Sequence, residues 1–190
     1  MIKGKIGRIW RWVIGIKREV KMTLREIVTL PDPILRRKAR KITSFDKEFS
    51  VLVNDMIETL RSAPGVGLAA PQVGISERLI VIEFGDEENE DAPKKLYVVA
   101  NPEIMEASEE MVSAIEGCLS IPGLVGEVER HESIHVKGLN RVGKPIRIKA
   151  EGWLARIFQH EMDHLEGVLY PDRASRVWQP KDDEELEVIE

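Results

Sequence analysis

The sequence has a single cysteine, Cys118, among 190 residues. No internal disulfide can form, which excludes a small secreted scaffold held by cross-links and points to a reducing compartment. The lone thiol is then either packing or chemistry. Aromatic residues are scarce at 5%, yet the hydrophobic share of 43% suffices for a buried core, so disorder is excluded for most of the chain. No run approaches the roughly 18 apolar residues of a membrane span. Positive charge is not in excess either: 28 Lys and Arg against 33 Asp and Glu give a formal net charge of -5. That excludes a molecule built as a whole to lie on nucleic acid. Internal repeats and interdomain linkers are also lacking.

What charge there is lies unevenly. Residues 1–21 hold Lys3, Lys5, Arg8, Arg11, Lys17, Arg18 and Lys21 against the single acid Glu19. Ile2, Ile6, Ile9, Trp10 and Val13 recur at helical spacing, while Arg11 interrupts the apolar run that a secretory signal would need. The segment reads as an N-terminal basic amphipathic helix. It is either a dispensable extension ahead of an ordinary domain start at Met22, or a membrane-surface or organelle-targeting element.

From Asp46 to Arg61, Phe49, Leu52, Val53, Met56 and Leu60 form one stripe, with Ser44 or Asp46 as cap and Gly65 beyond the end, which predicts an amphipathic helix. Arg78 to Phe84 and Lys95 to Ala100 are rich in β-branched and apolar residues and flank an acidic loop, so they read as strands. Met111 to Ile115, Val125 to Arg130, Ser133 to Leu139 and Pro145 to Ala150 continue the β pattern. Between Trp153 and Leu169 the helical period returns, closed by Gly167 and Pro171. Helix, then sheet, then helix reads as one α+β domain over residues 22–175. Residues 176–190 end in DDEELEVIE and read as a solvated acidic tail.

The pattern His-Glu-x-x-His occurs twice, at His131–His135 and at His160–His164. On a helix, residues i and i+4 lie about 6 Å apart on one face, so two imidazoles can share an ion. On a strand they stand roughly 13 Å apart and cannot. The first copy sits in β-like sequence and is assigned to surface strand positions; the second lies in the helical stripe, sharing a face with Trp153, Ile157 and Val168. A satisfied pair of core histidines is the plainer reading of that second copy. Glu161 beside them weighs against it, because a buried carboxylate without a partner costs several kcal/mol.

A catalytic tetrahedral site wants a third protein ligand and one open position. Tyr170 stands where one zinc-protease pattern would want a histidine, and Glu184, where another would want a glutamate, falls in the polar tail. Cys118 is the better candidate, because Glu116-Gly117-Cys118-Leu119-Ser120 presents a thiol after a strand and beside a glycine. Two rivals stay open on these grounds: a zinc endopeptidase using His160, His164 and Glu184, and a closed, non-catalytic metal site.

Three separated segments, Gly65-Val66-Gly67-Leu68-Ala69-Ala70-Pro71-Gln72, Glu116 to Ser120, and Gln159-His160-Glu161-Met162-Asp163-His164, together resemble peptide deformylase. The resemblance runs from about Thr23 to about Asp172. It implies an α+β fold in which antiparallel β-sheets pack around a central metal-binding α-helix. It also implies removal of the formyl group from the starting methionine of nascent polypeptides, giving formate and a free amino terminus. Carried over residue by residue, it implies that Cys118, His160 and His164 hold one divalent metal, natively Fe(II), with Zn, Ni or Co able to substitute. Glu161 becomes the general acid/base, and Gln72 with the Leu119 N–H binds the formyl oxygen. Val66, Gly67 and Gly117 supply backbone contacts to an extended peptide, and Trp153 and Ile157, one turn apart, are placed to line a methionine pocket or else are ordinary core. Glu116 is expected to pair with Arg130 and brace the cysteine loop. The expected partners are formyl-methionyl nascent peptides in the cytoplasm, or in an organelle if residues 1–21 target it. The tail after Asp172 is short where many members carry a helix that docks on the ribosome, which leaves ribosome contact by that route in doubt.

Overall fold

The computed structural model describes residues 23–85, 93–181 and 188–189. The basic amphipathic segment and most of the acidic loop after Phe84 lie outside the described residues.

Helix α1, Lys47–Ser62, starts where the sequence provides a cap: the Asp46 carboxylate accepts the Phe49 N–H at 3.0 Å, and the Ser44 hydroxyl donates to that same carboxylate at 2.8 Å. Phe49, Leu52, Val53, Met56 and Leu60 are all buried, and they pack with Leu68, Val73, Leu79 and Val81 into one core cluster. The same helix buries Asp55 and Thr59, which is affordable because both are satisfied. Asp55 accepts from the Thr23 N–H and the Arg25 guanidinium, and the Thr59 hydroxyl accepts the Arg25 N–H, so α1 holds the start of the domain.

The strands are β1 (Gly67–Ala69), β2 (Leu79–Phe84), β3 (Lys95–Ala107), β4 (Met111–Glu116), β5 (Val125–His131), β6 (Ser133–Leu139), β7 (Pro145–Glu151), β8 (Arg176–Trp178) and β9 (Val188–Ile189). They form a five-stranded sheet in the order β1-β2-β3-β6-β7 and a four-stranded sheet in the order β8-β5-β4-β9. Every pairing is antiparallel except that of β4 with β9. Helix α2, Gly152–Glu166, touches β1, β2 and β7 of the larger sheet and β5 of the smaller one, so it lies at the centre as the expected α+β architecture requires. Ile157, Phe158 and Leu165 join Ile80, Ile82, Val99, Ile134 and Val136 in a second core cluster.

Two differences from the sequence reading have physical causes. The expected strand end at Ala100 is a bulge, beyond which β3 continues to Ala107, with a register shift against β6 between Ala100 and Glu103. Asn101 takes a positive φ of 51°, which its short polar side chain tolerates, and that side chain bridges the N–H and the C=O of Ile42 at 2.9 Å each. Pro102, which has no N–H to give, falls where the ladder is interrupted. The tail region also holds two short strands that the sequence pattern does not announce. Residues 176–178 pair with Val125–Glu127, and Val188–Ile189 pair parallel with Ile115–Glu116. Strand edges bind through backbone groups, so an acidic sequence does not prevent the pairing.

Replacing Asn101 with Ala removes both bonds to Ile42 and leaves a Cβ residue in the left-handed region; urea unfolding is expected to show a loss of about 2 kcal/mol. Asn101→Gly should recover only the backbone part of that loss. A change in Asn101→Ala within about 0.5 kcal/mol, the range of ordinary surface substitutions, would contradict this account of the bulge.

Candidate metal centre

The helical spacing in α2 does what it implies. His160 and His164 are both buried, with ring centroids 5.1 Å apart and planes inclined at 67°. Cys118 arrives from the loop after β4, held by the Ile121 N–H donating to its carbonyl at 2.8 Å. One donor atom from each of Cys118, His160 and His164 lies within 4.8 Å of the others, and the Cys118 Sγ is 3.3 Å from His164 Nε2. The other copy of the pattern behaves differently. His131 ends β5 with its Nδ1 against the Ser108 carbonyl at 2.7 Å, and His135 lies on β6 beside Glu106 at 2.9 Å. Tyr170 stacks on His160 at 6.3 Å between ring centroids, and Glu184 lies outside the described residues.

Glu116, fully buried at the end of β4, organises the surroundings. Its carboxylate accepts two bonds from Arg130 and one from Arg156, each at 2.9 Å, and His160 Nδ1 donates to it at 2.9 Å. The bond to Nδ1 turns His160 Nε2 toward the cysteine. Burial alone would raise the Glu116 pKa, but His160 and Arg130 hold it well below the usual carboxylate range. Arg130 continues to Asp163 at 2.5 Å, and Arg173 closes on Asp163 with two bonds of 2.6 Å. The Glu116–Arg130 pair was legible in the sequence; Arg156 and Asp163 were missed. Their signal was position, since Arg156 stands one turn before His160 and Asp163 one residue before His164.

Burial disfavours charge on both imidazoles and drives His164 well below its ordinary pKa. On His160 the same burial is overcome by the hydrogen bonds to Cys118 and Glu116, so that ring is pulled well above its ordinary value. Positive charge is thus favoured on His160, between the Cys118 sulfur and the Glu116 carboxylate, and disfavoured on His164. One sulfur and two imidazole donors suit a transition metal and not magnesium or calcium. The residues present fit a divalent transition ion with a position left for another ligand.

Around this triad, Glu161 is 3% exposed, and burial pushes its pKa up to about 7. Its Oε2 has no partner among the described residues. Gly67 explains how a carboxylate fits there: a Cβ on β1 at that position would stand 2.3 Å from Glu161 Oε1. Gln72 lies in the turn Ala70–Val73, where its Oε1 accepts the Ala69 N–H at 2.8 Å and its Nε2 is 3.7 Å from the Cys118 Sγ. The carboxamide is therefore held with its donor end toward the triad. Leu119 follows Cys118 directly, and its N–H takes no backbone acceptor among the described residues. Gly117 is buried beside the cysteine, and the Val66 carbonyl is already taken by the Glu83 N–H at 2.9 Å. Trp153 borders a cavity of about 310 Å³ with Val112, Ala114, His131 and Arg156. Ile157 does not border it; at 0% exposure it belongs to the core.

Comparison with known proteins identifies relatives of this chain. A family model described as Polypeptide deformylase matches residues 24–179. A protein of Symbiobacterium thermophilum named Peptide deformylase is 49% identical over 173 residues, covering 89% of this chain and 77% of the relative. A Natranaerobius thermophilus protein of the same name is 45% identical over 161 residues, covering 85% of this chain and 99% of the relative. Among solved structures, peptide deformylase from Thermotoga maritima superposes with a TM-score of 0.75 at 44% identity, covering 81% of this chain and 99% of that one. The Ehrlichia chaffeensis enzyme in complex with actinonin gives a TM-score of 0.76 at 39% identity, covering 82% and 91%.

Glu116→Gln keeps the shape of the hub but removes its charge. Chelator competition is expected to show metal binding weakened by about 10- to 100-fold, and urea unfolding a loss of about 3 kcal/mol at neutral pH. The folded-state pKa of Glu116 is depressed, so its stabilisation is complete above the unfolded value of 4.5 and is lost as pH falls. The gap between wild type and variant should therefore narrow below that pH. A gap that persists unchanged into acid would contradict the assignment.

Proposed function

Because the chain belongs to the peptide deformylase family, we propose that Cys118, His160 and His164 hold one divalent metal ion and that Glu161 is the acid/base of the reaction. The family removes the formyl group from N-formylmethionine of nascent peptides, and this chain is such a hydrolase. The observation that carries the residue assignment is the buried triad, with the Gln72 carboxamide turned toward Cys118 and the buried, unpartnered Glu161 carboxylate next to His160 in the chain.

A divalent ion bound there supplies a Lewis acid that polarises the formyl carbonyl and lowers the pKa of water toward neutrality. Glu161 Oε2 takes a proton from the attacking water and delivers it to the methionine nitrogen as the carbon–nitrogen bond breaks, leaving formate and a free amine. Negative charge develops on the formyl oxygen in between. The Gln72 amide, pinned by the Ala69 N–H, and the Leu119 N–H donate to it without needing to reorganise.

The peptide lies extended along Gly67 and the Val66 N–H on one side and Gly117 on the other. Backbone pairing is indifferent to side chains, as an enzyme acting on many nascent chains needs. The methionine side chain occupies the cavity that Trp153 borders, and Ile157 supports that wall from the core without touching the substrate. Fe(II) is the native ion of this reading, with Zn, Ni or Co able to replace it. A thiolate next to Fe(II) also makes the centre sensitive to peroxide. The enzyme works in the cytoplasm, or in an organelle if residues 1–21 target it, and any contact with the ribosome is transient.

Formate release from a formyl-Met tripeptide, with protein prepared without oxygen and loaded with Fe(II) or Ni(II), tests these roles. Glu161→Gln should lower kcat by about 100-fold or more with metal content unchanged, and Gln72→Ala should lower kcat by about 100-fold with little change in metal content. Activity of either variant within about threefold of wild type would refute the role given to that residue.

A further inference from the structure

We infer that the outer edge of β4 is a strand-addition site and that the chain's own Val188–Ile189 occupies it in competition with the extended peptide substrate. Strand β5 takes one edge of β4, and among the described residues only β9 pairs with the other, Ile115 opposite Val188 and Glu116 opposite Ile189. This edge leads directly into the site. Gly117 follows Glu116 in the chain, Cys118 comes next, and the Glu116 side chain receives the His160 Nδ1 bond. Strand β1 is the end strand of the other sheet, and its Gly67 lies against Glu161. Two strand edges therefore reach the triad, and β9 lies along one of them.

Parallel and antiparallel neighbours use the same N–H and C=O groups of an edge strand. A peptide of either direction that pairs with the end of β4 must displace β9. The pairing spans two residues, so it is weak enough to exchange. Tethering nonetheless keeps the local concentration of the competing strand at roughly millimolar levels for a short linker. The inference rests on the peptide-binding reading given above, and its consequence is an enzyme whose apparent affinity for short substrates is held down by its own tail.

The test is the full-length double variant Val188→Pro, Ile189→Pro, which cannot donate to the ladder, loaded with metal beside wild type. With a formyl-Met tripeptide, KM should fall roughly three- to tenfold at unchanged kcat, because the competent state is no longer shared with β9. Millimolar free peptide of sequence Asp182–Glu190 should act on the variant as a competitive inhibitor. Hydrogen exchange supplies a readout independent of activity: amides of residues 115–117 should exchange faster in the variant, and the product tripeptide should release protection at 188–189 in wild type. Faster exchange with KM unchanged would mean that β9 only covers an edge, which overturns the competition. Unchanged exchange and unchanged KM would overturn the pairing itself. If neither protein releases formate while exchange at residues 115–117 still responds to the prolines and to the tripeptide, the deformylase roles fail and the strand-addition site stands.

Discussion

A carboxylate with no exposed surface, Glu116, is the constraint on which the rest of this structure depends. An isolated charge of that kind is too costly to bury, so three cationic or hydrogen-bonding groups must be brought to it. Arg130 comes from β5, and Arg156 and His160 come from α2. Satisfying one carboxyl group therefore fixes the smaller sheet against the central helix. It also decides which nitrogen of His160 faces the cysteine, and it anchors the end of β4 two residues before Cys118. Fold and metal centre are stabilised by the same bonds.

The second requirement is closeness. Helix α2 carries Glu161 toward β1, and only a residue without a Cβ lets the two approach as they do at Gly67. On the far side Arg130 spans to Asp163, and Arg173 completes that pair, so the turn of α2 bearing His164 is braced as well. The donor end of Gln72 is likewise held beside Cys118, by the bond that its Oε1 accepts from the Ala69 N–H.

Much of this was legible in the residues. The stripe Phe49, Leu52, Val53, Met56 and Leu60 is periodic because one face of α1 is buried, and periodicity is what a sequence records well. The two His-Glu-x-x-His patterns could be told apart because neighbouring residues announce strand or helix. Other features were not legible, for definite reasons. The bulge at Asn101 reads as a strand end because Asn-Pro usually stops a ladder; that the chain resumes depends on two bonds to Ile42, far away in sequence. Ile157 shares helical spacing with Trp153, but α2 is enclosed by both sheets, so spacing does not distinguish a pocket wall from core. Strand β9 was hidden because edge pairing needs no apolar pattern. Arg156 and Asp163 escaped notice because charged residues on a helix are usually solvated, and only the buried hub makes them internal.

The thiol defines the ligand set, since a histidine pair with a glutamate is shared by peptidases and only Cys118 separates the alternatives. The most direct measurement is the metal content of Cys118→Ala beside wild type, both purified without oxygen, equilibrated with Fe(II) or Ni(II) and passed through a desalting column. About one ion per wild-type chain is expected, and little or none in the variant, with both proteins folded by circular dichroism. A folded variant that keeps its full complement of metal would show that His160 and His164 find their third ligand elsewhere, and the thiol-centred site would be wrong.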